Sequence, residues 1–127
     1  MLGGKNEWPT RVGVLPAMRD NTVVYPRAFV HQREFADAVE RAEQKLKDNV
    51  VRIRHTLDYD STGDPAVYLR VVMPDSSLTK DRLLEATRHV SFVIEQELQP
   101  QEQWGVYPYF RFRSQSEQQT MQEPAWA

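Results

Sequence analysis

The chain has 127 residues, a length that predicts a single domain able to bury one hydrophobic core without disulfide or metal support. It contains no cysteine, which excludes disulfides, thiolate nucleophiles and sulfur-ligated metal centres and favours a cytoplasmic location. Sixteen basic and eighteen acidic residues give a net charge of −2, so the whole molecule carries no charge signal for nucleic acid. No stretch approaches the roughly 20 apolar residues that span a bilayer, so we expect a soluble protein without a membrane partner.

The first half of the chain predicts an arm and then a helix. Residues 1–30 are rich in turn formers, and the stretches RVGVL and NTVVYP predict one or two short strands within an N-terminal arm. Apolar residues then recur at helical spacing among charged ones, which predicts an amphipathic helix over about 32–48. Its apolar face consists of Phe35, Val39, Ala42 and Leu46.

Three strands and a second helix follow. The stretches VVRIRHTLDYD, AVYLRVVM and VYPYFRFR alternate apolar and polar side chains, which predicts strands with one buried face. Between the second and third of these, a helix of about twenty residues begins near Ser76 to Thr79 and ends before Pro100. Its apolar stripe consists of Leu83, Thr87, Val90, Ile94 and Leu98.

This order of elements predicts an α+β fold. We expect a two-layer sandwich in which an antiparallel sheet carries two helices on one face, in the ferredoxin-like or split βαβ order. The core domain is assigned to residues 31–114. Residues 115–127 are polar and rich in glutamine, so we expect a flexible C-terminal tail.

The stretch DYDSTGD, residues 58–64, invites two chemical interpretations. It fits the D-x-D-x-T pattern of phosphatases that form an aspartyl-phosphate, but only one lysine, Lys80, follows Thr62 in the chain. It also fits the start of a calcium loop, but Leu69 stands where a bidentate glutamate is required. We therefore expect a three-residue hairpin loop with Gly63 in the left-handed region.

Other catalytic or metal-binding patterns are missing from the sequence. His31, His55 and His89 have no metal-like spacing, and His55 falls on the buried face of its strand. The five glycines are too scattered to form a phosphate-binding loop. We expect no catalytic residue, no metal and no cofactor.

One face of the predicted sheet stands out by its charge and aromatic content. The outward positions of the three strands carry five arginines and three tyrosines, which form a candidate binding surface. These residues are Arg52, Arg54, Tyr68, Arg70, Tyr107, Tyr109, Arg111 and Arg113. With a three-residue loop Arg54 lies opposite Arg70, and opposed like charges destabilise a sheet unless something anionic lies between them. With a loop two residues longer Arg54 lies opposite Val72, and the sequence leaves both registers open.

Two functions are compatible with this face. Arginine and tyrosine are enriched at protein interfaces, which favours an interaction module whose sheet face binds a second copy, as a homodimer, the N-terminal arm of the same chain, or an acidic protein surface. The alternative is single-stranded RNA or DNA binding, with tyrosines stacking on bases and arginines contacting phosphates. The acidic net charge and the lack of an RNA-recognition signature count against the alternative. An enzyme of unrecognised type is a lesser alternative.

Overall fold

The structure is a computed structural model, and it describes residues 25–127. Most of the N-terminal arm predicted for residues 1–30, including the stretch RVGVL and most of NTVVYP, lies outside the described residues. Within residues 25–30, Arg27–Val30 forms a short helix, α1, whose Ala28 is fully buried. The arm therefore ends in a helix that is part of the core.

Two long helices and three strands form the body of the molecule. Helix α2 spans Gln32–Lys45, which confirms the first predicted helix. Helix α3 spans Leu83–Leu98 and starts later than predicted, because Asp75–Leu78 forms a separate 3₁₀ turn. The remaining elements are β1 (Arg52–Tyr59), β2 (Pro65–Met73), α4 (Pro100–Trp104), β3 (Tyr107–Ser114) and α5 (Gln115–Met121). None of the described helices is both long enough and apolar enough to cross a bilayer.

The α+β class is confirmed, but the sheet is mixed and not antiparallel as predicted. Its strand order is β1-β2-β3, with β1 and β2 antiparallel and β2 and β3 parallel. The chain leaves the end of β2, crosses back through α3 and α4, and enters β3 from the same end of the sheet as β2, which makes this pair parallel. Because β2 pairs directly with β3, and α5 contacts the sheet as well, the ferredoxin-like order and the two-layer sandwich are not confirmed.

The hydrophobic core lies between α2, α3 and the inner face of the sheet. Val67, Leu69, Val71 and Met73 of β2 point into it, and all four are fully buried. The largest fully buried side chain is Phe35 of α2, which contacts His55 and Trp104 edge to face at 5.3 and 5.1 Å between ring centroids. The inward orientation predicted for His55 is therefore confirmed. The pKa of His55 is lowered, mainly because burial disfavours the charged form and to a lesser degree because Arg70 is positively charged.

The β1–β2 hairpin has the shorter of the two predicted loops. Asp60 N–H donates to the Asp64 carbonyl at 2.8 Å, and Gly63 has φ +86°, in the left-handed region. The resulting register places Arg54 directly opposite Arg70. The two arginines therefore need a partner that reduces their repulsion.

The turn gives a direct test through backbone conformation. Replacing Gly63 with valine should lower the free energy of unfolding by about 1–3 kcal/mol, because a β-branched residue resists positive φ. No atom lies within 4 Å of the position of an added Cβ, so steric overlap with neighbours is not the cause. Urea denaturation checks this, with Ser61→Val as the matched control at a turn position whose φ is not positive. Equal losses in both variants would contradict the explanation.

Candidate functional site

The eight predicted binding residues all lie on the outer face of the sheet, on the side away from the core. Register aligns them in rows across the strands: Arg54, Arg70 and Arg111 form one row, and Tyr68 and Tyr109 belong to the next. All eight residues lie on the same face, but they form two groups at opposite ends of it. We call Arg52, Arg54, Arg70 and Arg113 the arginine surface, and Tyr68, Tyr107 and Tyr109 the tyrosine patch. Arg111 is exposed and lies between the two.

The segment predicted as a flexible tail covers the arginine surface. Helix α5 begins directly after β3 with a capping box, in which Ser114 Oγ accepts from the backbone of Glu117 and the Glu117 carboxylate accepts from Ser114 N–H. Asp75 accepts from Ser116 N–H at 3.1 Å, and this bond lowers the pKa of the Asp75 carboxyl. After α5, residues 123–127 turn back over the sheet, and Pro124–Trp126 forms a 3₁₀ turn. We call residues 123–127 the docking segment.

Arginine side chains hold the backbone of the docking segment. Three of them each donate a hydrogen bond to a different carbonyl of three successive residues. The pairs are Arg70 Nε to Ala125 O at 2.8 Å, Arg52 Nε to Trp126 O at 2.9 Å, and Arg54 Nε to Ala127 O at 3.0 Å. Carbonyls in the last turn of a helix have no partner within the helix, and they attract cations. The arginines donate hydrogen bonds to these groups, so the sheet matches the docking segment in hydrogen bonding as well as in shape.

Trp126 supplies the apolar part of the contact. Its side chain is only 7% exposed, and the guanidinium of Arg113 lies 4.1 Å from the centre of its ring, in cation–π geometry. Arg113 also pairs with Glu123 at 2.8 Å and donates to Gln118 Oε1 at 3.0 Å. Val72, between Arg52 and Arg113 in the register, is fully buried although it lies on the outer face. The docking segment is thus fixed by side-chain burial and by polar contacts together.

These contacts reduce the repulsion between the opposed Arg54 and Arg70. Each guanidinium donates to a carbonyl of the docking segment, and Arg70 also donates to Thr56 Oγ1 at 2.6 Å. Partial burial lowers the pKa of Arg70. The opposed arginines are therefore engaged by main-chain oxygens of the same chain, and the expected anion is present as well, because Arg54 pairs with the Glu43 carboxylate at 3.8 Å.

The tyrosine patch lies at the hairpin end of the same face and remains accessible. Tyr68 and Tyr109 stack with ring centroids 5.2 Å apart and an interplanar angle of 15°, and Tyr107 lies 5.0 Å from Tyr109. Tyr107 and Tyr109 are 49% and 37% exposed. Tyr109 donates its phenolic hydrogen to Asp60 Oδ2 at 2.9 Å. The patch is therefore rigid, aromatic and bordered by a carboxylate.

Asp60 organises the hairpin loop, which supports the structural interpretation of the aspartates. Its Oδ1 accepts from Thr62 N–H, Thr62 Oγ1 and Asp64 N–H at 3.0, 2.7 and 2.9 Å. The bonds from Thr62 and Asp64 lower the pKa of Asp60 to about 2, and the bond to Asp60 raises the pKa of Tyr109 to about 12. Within residues 25–127 no group of three acidic or histidine side chains is placed to hold a metal ion.

The comparisons with known proteins found no matching family model, curated protein or solved structure.

The important contact that sequence reasoning missed is the one made by Trp126, Glu123 and Gln118. Local composition gave no sign of it, because their partners are up to 74 positions away in the chain. Two signals were present nevertheless. Ser114 and Glu117 have the spacing of a capping box, and the opposed arginines called for a partner.

Acid should protonate Asp60 and weaken the hydrogen bonds of the hairpin loop only at an unusually low pH. The pKa of Asp60 is depressed in the folded protein, so its contribution to stability is present above about pH 4 and is lost as the pH falls towards 2. NMR titration of the Asp60 side-chain carboxyl should give a midpoint near 2. Thr62→Val should raise that midpoint, and Ser61→Ala should not. A wild-type midpoint near 4, the ordinary value, would contradict the network.

Trp126→Ala should destabilise the protein although residue 126 lies in a segment of polar composition. We expect the free energy of unfolding to fall by about 3 kcal/mol, which is the lower end of the range for a buried tryptophan. The loss is at the lower end because the segment, without its tryptophan side chain, can leave the sheet without opening the core. The control is Met121→Ala in α5, where the side chain is 57% exposed. Thermal unfolding followed by circular dichroism measures both. Identical melting temperatures for Trp126→Ala and wild type would show that the docking contact contributes no stability.

Proposed function

We propose that this protein is a small, non-catalytic interaction module whose outer sheet face binds a peptide segment. The observation that carries the proposal is the complex the chain makes with itself, in which three arginines hold three successive carbonyls and one tryptophan lies under a fourth arginine. A segment from another molecule can make the same contacts when the docking segment leaves the sheet. The proposed partner is a second copy of the chain or another protein with a similar segment.

The chemistry of the arginine surface favours a protein ligand with an acidic residue. Backbone carbonyls are present in every peptide, so they give affinity, while a tryptophan site gives specificity. Glu123 pairs with Arg113, so an acidic residue before the tryptophan adds to recognition. An acidic protein surface that presents such a segment is therefore a suitable partner. The absence of cysteine supports a cytoplasmic setting.

Single-stranded RNA or DNA is the second candidate, and one observation favours it. The row of Arg54, Arg70 and Arg111 lies next to the stacked pair of Tyr68 and Tyr109, which is an arrangement suited to phosphates beside bases. Two observations weigh against it. The arginine surface already holds the docking segment, and the tyrosine patch borders Asp60, whose charge repels phosphate. Nucleic acid binding would therefore require the docking segment to leave.

The proposal is tested with a peptide added to a chain whose own segment is weakened. In the wild type the tethered segment has a local concentration of the order of millimolar, so it excludes a free peptide. The full-length Trp126→Ala variant frees the tryptophan site. A labelled peptide of residues 122–127, QEPAWA, should therefore bind this variant more tightly than it binds the wild type. Fluorescence anisotropy measures the two affinities.

The controls separate specific recognition from general attraction. The peptide QEPAAA should bind at least about tenfold more weakly, because the tryptophan contributes more than 1.4 kcal/mol. Adding Arg70→Met to the Trp126→Ala chain should also weaken QEPAWA binding. Equal affinity for the two peptides, or no binding to the variant, would overturn the proposal. Binding of a single-stranded oligonucleotide that falls steeply with salt would support the second candidate.

A further inference from the structure

The tyrosine patch is a second accessible surface, separate from the arginine surface. Tyr107 and Tyr109 are 49% and 37% exposed, and neither they nor Tyr68 contact the docking segment among the contacts of the described residues. Stacking on Tyr68 and the hydrogen bond to Asp60 fix the ring of Tyr109. An aromatic side chain that is already held in place loses little entropy on binding, which favours its use as an interface anchor.

Charges of opposite sign flank this patch along the strand direction. Arg111 lies one row towards the arginine surface, and it is exposed. On the opposite side, Asp58 lies in the row of Tyr107, and Asp60 and Asp64 follow in the hairpin loop. Asp58 is exposed, and its carboxylate accepts only from the N–H of the adjacent Tyr59 among the described hydrogen bonds. The patch therefore has a positive end, an aromatic centre and a negative end.

We propose that the tyrosine patch binds the tyrosine patch of a second copy of this chain. In an interface with a two-fold axis, each surface meets an identical one, so the surface must be complementary to itself. A two-fold axis that passes through Tyr68 in the plane of the interface, perpendicular to the line from Arg111 to Asp58, places Arg111 of one copy against Asp58 of the other, and it does so twice. An axis parallel to the strands along β2 would place Arg111 against Arg54. The charges therefore select the first arrangement.

A second copy fits this surface better than a partner of a single charge. A basic peptide would match the aspartates but meet Arg111, and an RNA phosphate would match Arg111 but meet the aspartates. Only a surface with both signs in the opposite order matches the whole patch. The aromatic centre supplies the apolar contact, and the charges at the two ends set the orientation.

A charge-exchange experiment tests the pairing in the full-length protein. Analytical ultracentrifugation of the wild type should show a monomer–dimer equilibrium with Kd below about 1 mM that weakens as salt is added. Arg111→Asp and Asp58→Arg should each weaken dimerisation by at least about tenfold, since each places like charges together at two symmetry-related contacts. An equimolar mixture of the two variants should form heterodimers with affinity close to that of the wild type, because both contacts are again between opposite charges.

The control is Arg88→Asp, an exposed charge reversal on α3, on the other side of the sheet, which should not change the association. A wild type that stays monomeric, or a mixture of the variants that fails to associate, would overturn the pairing. Circular dichroism confirms that each variant is folded. Neither Arg111 nor Asp58 bonds the docking segment among the described contacts, so Arg111→Asp placed in the Trp126→Ala chain should still bind the peptide QEPAWA. Failure of the pairing and failure of the peptide-binding proposal can therefore be told apart.

Discussion

The arrangement of the outer sheet face depends on hydrogen bonds from opposed arginines to main-chain oxygens of the docking segment. The hairpin register places Arg54 opposite Arg70, and the parallel pairing of β3 extends the row to Arg111. Such a row destabilises a sheet unless its charges are engaged. The main-chain oxygens of residues 125–127 accept hydrogen bonds from Arg52, Arg54 and Arg70, and the Trp126 side chain is only 7% exposed. Through this contact, the docking segment belongs to the folded domain although its composition is that of a tail.

The same contact divides the outer face into two regions with different chemistry. One region is occupied by the chain itself, and its binding groups are guanidinium donors and a tryptophan site. The other is accessible and combines Tyr68, Tyr107 and Tyr109 with charges of both signs. Because the two regions use different residues, the protein has room for two separate contacts on a single sheet face. Their separation also allows each to be altered without direct damage to the other.

Much of the architecture followed from periodicity, because local spacing controls which face of a helix or strand is buried. The alternation in β1 and β2 placed Ile53, Leu69 and Val71 in the core, and the spacing in α2 placed Phe35 there. The direction of β3 was predicted incorrectly because alternation says which face is buried but not which neighbour a strand pairs with. That choice depends on how α3 and α4 return the chain to the sheet.

The sequence by itself determined the α+β class, the buried and exposed faces, the turn at Gly63 and the eight residues of the candidate surface, since all of these follow from patterns within a few positions. Only the tertiary structure decided the hairpin register, the parallel β2–β3 pair and the docking of residues 123–127. These features rest on contacts between residues distant in sequence, such as Arg52 with Trp126, 74 positions apart. Local composition cannot report such contacts, because the free energy that orders the segment comes from its partner.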